Sequence, residues 1–220
     1  MENEALQTIE YSGKQVRIIE AAERLFSEHG FDGTSVRDIA QQAGVNLAMI
    51  SYYFGSKENL LHALFNYRIS ESFAILESIV NDKALGPVEK VRAMIDYYVD
   101  RIVDNQCFHK ITIREQIGHD PSNPISKVMR ENKLRNFGMV KKIVSEGVRK
   151  KLFTKTADLQ MLWMTMMGTI YQILGSQQHY RMMSGLDDLT EPEFQLQVKK
   201  RLKTHLKHIF IAALTYENHQ

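Results

Sequence analysis

Cysteine is almost missing from this chain: Cys107 is the only one in 220 residues, which excludes an internal disulfide framework and any multi-cysteine zinc site and fits a reducing compartment. Proline is scarce too, with four in all, each near an expected helix boundary. No long apolar run occurs. The best candidate, about 161 to 175, is broken by Thr165, Gly168 and Gln172, whereas a membrane span needs roughly 20 largely apolar residues. The N-terminus, MENEALQTIEYSG, is acidic and polar where a secretory signal would be basic and then apolar, so a cytoplasmic protein is expected. Neither a Gly-rich phosphate loop nor a His-Glu-x-x-His zinc motif is present, and these absences count against an enzyme. His205 and His208 stand three apart on an expected helix with no acidic or cysteine ligand in that turn, so no metal is expected. No cofactor motif occurs.

What is present is helix after helix. From about Lys14 to His29, Ile18, Ala22 and Leu25 share one face, and Gly30 follows as a stop. Ser35 with Asp38 reads as a capping box for a second helix; Asn46 can cap a third, and Ser56 a fourth running to about Ile79. Further helices are expected at about 88–104, 107–118, 124–151, 157–182 and 192–216, separated by Gly86-Pro87, Asp120-Pro121, Pro124 and the loop from Ser184 to Pro192. The expected fold class is therefore all-α, with about nine helices.

The stretch Val36 to Gly55, VRDIAQQAGVNLAMISYYFG, has the spacing of two short helices crossing around a tight turn. Ala40 lets the axes approach, Gly44 can take the left-handed conformation that ends the first helix, and Ile50 fills the gap between the two. That is a helix-turn-helix. Residues 1–62 hold five basic residues (Lys14, Arg17, Arg24, Arg37, Lys57) against nine acidic ones, so this is no basic module by count. Gly44 to Ser56, however, carries no charge at all, and the surface offered to DNA need not repel it.

A recognition helix from about Leu47 to Phe54 sends Ile50 and Phe54 into the core. Asn46, Leu47, Ala48, Met49, Ser51, Tyr52 and Tyr53 are left to divide between base edges and backbone, with apolar contacts from Ala48 and Met49 and hydrogen bonds from Ser51 and the tyrosines. Tyr52 and Tyr53 can instead pack between helices, and capping alone explains hydroxyls at Thr34 and Ser35. Lys57 sits in the first turn of the fourth helix, where the dipole disfavours a cation by about 0.3–1 kcal/mol. A DNA phosphate at that N-terminus would offset this, so Lys57 is the leading phosphate contact, although Glu58 beside it can instead be its local partner; Arg37, Lys14 and Arg17 are further candidates.

The run Arg17 to Leu61, with Ala21-Ala22, Leu25-Phe26, Gly30-Phe31, Thr34-Ser35, Ile39-Ala40, Ala43-Gly44-Val45, Tyr52-Tyr53-Phe54 and Lys57, resembles the DNA-binding domain of the tetracycline repressor (TetR) family. The resemblance implies a homodimeric transcription regulator, usually a repressor. It implies a DNA-binding domain over 1–60, a helical effector and dimerisation domain over 61–220, and operator release by a small molecule. Ser51 stands where that family often has tyrosine and Tyr53 where histidine is frequent, so base preference does not carry over. Two rival classes stay open: an all-α enzyme or small-molecule carrier without operator binding, and a helical adaptor that binds protein alone.

In the C-terminal part the segment 159–174 is apolar nearly all round. In the last helix Val198, Leu202, Leu206, Ile209 and Ala213 form one stripe, while Lys199, Lys200, Arg201, Lys203 and Lys207 read as solvated surface. Trp163, Ile170, Leu202 and Leu206 are expected in or beside the subunit interface, an intramolecular core being the competing reading. Tyr97, Tyr98, Phe108, Met139, Trp163, Met167 and Tyr171 are the expected lining of an effector pocket, with His109 and Arg114 as its polar groups. Such a lining fits an apolar or amphipathic effector, and a cation among it can select an acidic one.

Overall fold

The computed structural model describes residues 10–117, 124–154 and 156–216; the expected turn at Asp120-Pro121 lies outside them. Ten helices occur among the described residues: α1 (Gly13–His29), α2 (Val36–Ala43), α3 (Leu47–Phe54), α4 (Lys57–Asn81), α5 (Pro87–Asp104), α6 (Gln106–Ile117), α7 (Pro124–Arg149), α8 (Leu159–Gly175), α9 (Gln177–Ser184) and α10 (Glu191–Thr215). No described helix is long and apolar enough to cross a membrane.

The helix ends follow the local chemistry. Ser35 Oγ accepts from Asp38 N–H at 3.1 Å and the Asp38 carboxylate accepts from Ser35 N–H at 3.1 Å, closing the capping box. Asn46 Oδ1 accepts from Ala48 N–H at 3.0 Å and Ser56 Oγ from Asn59 N–H at 3.1 Å. Gly44 ends α2 at φ 63°, ψ 41°, the left-handed region where a Cβ would be strained.

The single helix expected over 157–182 is two. Ser176, at φ −133°, ends α8, and its hydroxyl donates to the Gln172 carbonyl at 2.6 Å. Glycine followed by a serine that bonds back to its own helix is poor continuation chemistry, and the separate α9 begins at Gln177.

The chain divides into two units, Met1–Ile75 with Cys107–Leu134 and Leu76–Gln106 with Arg135–Gln220. The expected division at 60/61 falls inside α4. Leu60, Leu61, Leu64, Phe65 and Ile69 of that helix are buried in the same core as Ile18, Ile19, Phe26, Ile39, Ile50 and Phe54, so α4 extends the first unit well past residue 60. Phe108, Ile111, Ile125 and Met129 join that core and bring α6 and the first part of α7 with them.

In the second unit α10 packs on α5 and α8. Ile170, Leu202 and Leu206, expected at a subunit interface, are instead core residues here, at 0%, 2% and 0% exposure. Burial of each contributes roughly 1.5–3 kcal/mol within the chain itself. The lysines flanking this stripe also have partners, where solvent alone was expected. Lys199 meets Asp104 at 2.6 Å and Asp100 at 3.7 Å, Lys203 meets Asp100 at 2.7 Å, and Lys207 meets Asp96 at 2.6 Å. Carboxylates four apart on α5 thus face ammonium groups four apart on α10, a ladder that fixes the register of the two helices.

Lys90 is buried at 5% exposure, and its ammonium donates to the Val80 carbonyl in the last turn of α4 at 2.8 Å and to Glu146 at 2.9 Å. Lys150 also donates to Glu146, at 2.7 Å. Lys150 and then Lys90 hold the Glu146 carboxyl at about 2, below its ordinary 4.5. A depressed carboxyl stabilises the fold fully above its unfolded value, and the contribution fades as pH falls from about 4.5 toward 2. Between pH 5 and 3 the melting temperature should therefore fall further for the native chain than for Glu146→Gln. Parallel melting curves would remove this pair as a determinant of acid stability.

Candidate nucleic-acid interface

The helix-turn-helix is assembled from the inside. Ala40 at 4% exposure and Ile50 at 1% lie between α2 and α3, and Phe54 at 7% anchors the end of α3. With those positions inward, helical spacing turns Ala48 and Tyr52 to the opposite face with Ser51 beside them, and all three are exposed, Tyr52 at 82%; Leu47, at the start of the helix, is exposed as well although spacing puts it on the side of Ile50 and Phe54. Asn46 is exposed as well, although its side-chain oxygen is used by the cap. Met49 and Tyr53 are half-buried at the edges of this face. Tyr53 packs against Tyr52 at 5.1 Å between ring centroids and against Phe54 at 6.3 Å, so packing occupies much of its ring.

Thr34 points inward. It is 2% exposed, and its hydroxyl lies 2.8 Å from the Gly30 carbonyl and 3.2 Å from that of Leu25, a purely internal use. Ser35 is exposed and engaged in its cap, and the Ser35 hydrogen bonds hold the Asp38 carboxyl below its ordinary value. Arg37, Lys14 and Arg17 are exposed. Gln41 and Gln42, absent from the expected contacts, are also exposed and line a groove of about 420 Å³ with Leu25, His29, Gly33, Thr34 and Asp38.

Lys57 has a second use. Its ammonium donates to the carbonyls of Phe31 at 2.9 Å and Thr34 at 3.0 Å and stands 4.2 Å from the centroid of the Phe31 ring. Two carbonyl dipoles and an aromatic face thus supply the compensation that a cation at a helix N-terminus requires. The side chain clamps the α1–α2 connection onto the start of α4.

The expected effector residues are divided by the fold. Phe108 packs on Phe65 at 5.2 Å and on His109 at 5.5 Å, and Arg114 donates to the Phe26 carbonyl at the end of α1 at 3.1 Å; all three belong to the first unit. Tyr97, Tyr98, Met139, Trp163, Met167 and Tyr171 belong to the second. Tyr98 meets Trp163 edge to face at 5.1 Å and Tyr97 at 5.6 Å, while Phe137 stands 6.4 Å from Trp163. Arg101, absent from the sequence-derived set, is the cation of this cluster: its Nη1 donates to Tyr97 Oη at 3.1 Å. Its spacing of four from Tyr97 on an expected helix was the available signal.

Residues 18–64 match the family model of bacterial regulatory proteins, tetR family, and residues 87–203 match that of the tetracyclin repressor-like C-terminal domain. A probable HTH-type transcriptional regulator of Bacillus subtilis, YttP, is 56% identical over 48 residues, 22% of this chain and 23% of that protein. The chain therefore spans less than a quarter of that relative's length. The fatty acid metabolism regulator protein of B. subtilis is 26% identical over 158 residues, covering 71% of this chain and 79% of that protein. In fold, the ketosteroid transcriptional regulator KstR2 of Mycobacterium tuberculosis is similar with a TM-score of 0.71 at 19% identity, over 94% of this chain and 98% of that one.

Proposed function

This chain belongs to the tetracycline repressor family of bacterial DNA-binding transcriptional regulators, and from that membership we propose that it is an intracellular homodimeric repressor, released from an inverted-repeat operator by a small molecule bound in its second unit. The outward face of α3 carries the reading. Ala48, Ser51 and Tyr52, with Leu47 exposed at the helix start, form an uncharged surface backed by Ile50 and Phe54, which fits a major groove. Ser51 and Tyr52 read bases; Arg37, Lys14, Arg17 and Lys57 hold phosphates.

Dimerisation is supported by the sides of α8 and α10 that the chain leaves uncovered. Met161 at 61% and Met164 at 56% exposure stand with Thr165 and Gly168 on α8, and Arg201, Thr204, His208 and Ala212 are exposed on α10. The effector reading is supported by the aromatic cluster around Trp163 and by the likeness to a fatty acid metabolism regulator.

Selection from random duplexes tests the whole proposal. The retained sequences should share an inverted repeat with half-sites about one helical turn apart, and the free protein should sediment as a dimer at micromolar concentration. Failure to retain any duplex at low salt would overturn it.

A further inference from the structure

Buried hydroxyls are nearly always hydrogen-bonded, because an unmet one gives up its hydration with nothing in return. Tyr98 breaks that rule: its ring is 4% exposed and its hydroxyl has no hydrogen-bond partner in the protein. Arg101 lies one turn further along α5, bonded to Tyr97, and acts electrostatically on both Tyr98 and Tyr171. Burial raises both tyrosines above their ordinary value, so each keeps its proton and stays a donor.

The neighbouring face of α8 is only half covered. Leu162, Met166 and Ile170 form its buried strip, whereas Trp163, Met167 and Tyr171, also four apart, are half-buried. That second strip runs about 12 Å at 1.5 Å per residue. Its upper edge is the Trp163 ring, packed against Tyr98 and Phe137.

We propose that Tyr98, Arg101 and Tyr171 form the polar end of a binding site for an amphipathic carboxylate, whose apolar chain lies along Trp163 and Met167. The proposal rests on the effector reading above and gives that effector its chemical class. A carboxylate supplies the acceptor that the Tyr98 hydroxyl lacks and the charge that Arg101 favours. The aromatic rings alone would also suit a quaternary ammonium, but the guanidinium beside them repels one. A neutral alcohol of equal length meets the apolar strip but brings no charge to the guanidinium.

Trp163 is the sole tryptophan of the chain, so its emission reports on this site. The probes are decanoate, decan-1-ol and decyltrimethylammonium, each below its aggregation threshold. Decanoate should shift Trp163 emission saturably at a concentration about tenfold or more below decan-1-ol, and the ammonium should produce no saturable shift. Tyr98→Phe should weaken decanoate about tenfold while raising the melting temperature, since it deletes an unmet hydroxyl. Arg101→Leu should make decanoate and decan-1-ol equal. Equal binding of the two probes by the native chain, or undiminished decanoate binding by Tyr98→Phe, would overturn the site. Operator anisotropy separates the two readings. Release of bound operator by a compound that leaves Trp163 emission unchanged overturns this site alone, whereas absence of any operator complex overturns the regulator reading and leaves the fluorescence outcome standing.

Discussion

Alanine in place of Lys57 should lower affinity for every DNA sequence alike and destabilise the first unit by about 2 kcal/mol even without DNA. The stability loss follows from the clamp. The Phe31 and Thr34 carbonyls lose a charged donor, and the Phe31 ring loses the cation above it. Hydrogen bonds to charged groups contribute about 1.5–3 kcal/mol each when well shielded. Lys57 is half-buried, so water recovers part of that. The affinity loss has two separable sources. A phosphate contact contributes about 0.9 to the log–log salt slope, so losing one per protomer flattens the dimer's slope by roughly 1.8. An unchanged slope with weaker binding assigns the whole loss to misplacement of α2 and α3. An unchanged melting temperature in the free protein would show that the clamp holds nothing.

The helix-turn-helix was legible in the sequence because its determinants are local. Ala40, Gly44 and Ile50 act within one turn and its two flanking helices, and the capping side chains at Ser35, Asn46 and Ser56 bond three residues away or fewer. Lys57 shows where such reasoning stops. Its position on the helix dipole was readable, but its acceptors lie 23 and 26 residues earlier, and no periodicity reveals which carbonyl a long side chain will reach. Thr34 turned inward for the same reason, toward carbonyls of α1 and the loop after it. The lysines of α10 were misread through a related gap. A stripe says which face is apolar; it does not say that Asp96, Asp100 and Asp104 of another helix will stand beside its rim. Leu202 and Leu206 were legible as buried, and only packing decides whether the cover comes from the same chain or a second copy. Arg114 is expected in the effector pocket as a cation that can select an acidic ligand, yet its bond to the Phe26 carbonyl places it in the first unit.

Arg68→Met should cost about 3 kcal/mol, the largest loss expected from any single charge in the first unit. Arg68 Nε donates to Glu23 at 2.8 Å, joining α4 to α1, with side-chain exposures of 18% and 6%. Removing the guanidinium strands a carboxylate from which water is excluded, and breaking buried pairs in this way typically costs about 3–5 kcal/mol. The lower end applies because Glu23 sits on the rim of the core, where local opening can admit water. Glu71, at 3.7 Å from Arg68 and 59% exposed, adds little. The double variant Glu23→Leu with Arg68→Met should recover to within about 1 kcal/mol of the native chain, because no buried charge then remains uncompensated. Lys127→Ala provides the contrast: its pair with Glu131 is 4.0 Å long and 68% and 58% exposed, so its loss should not be measurable. Denaturant midpoints of these variants decide the matter. A double variant no better than Arg68→Met would mean that Arg68 acts through its packing, leaving the position of α4 on α1 to apolar contacts alone.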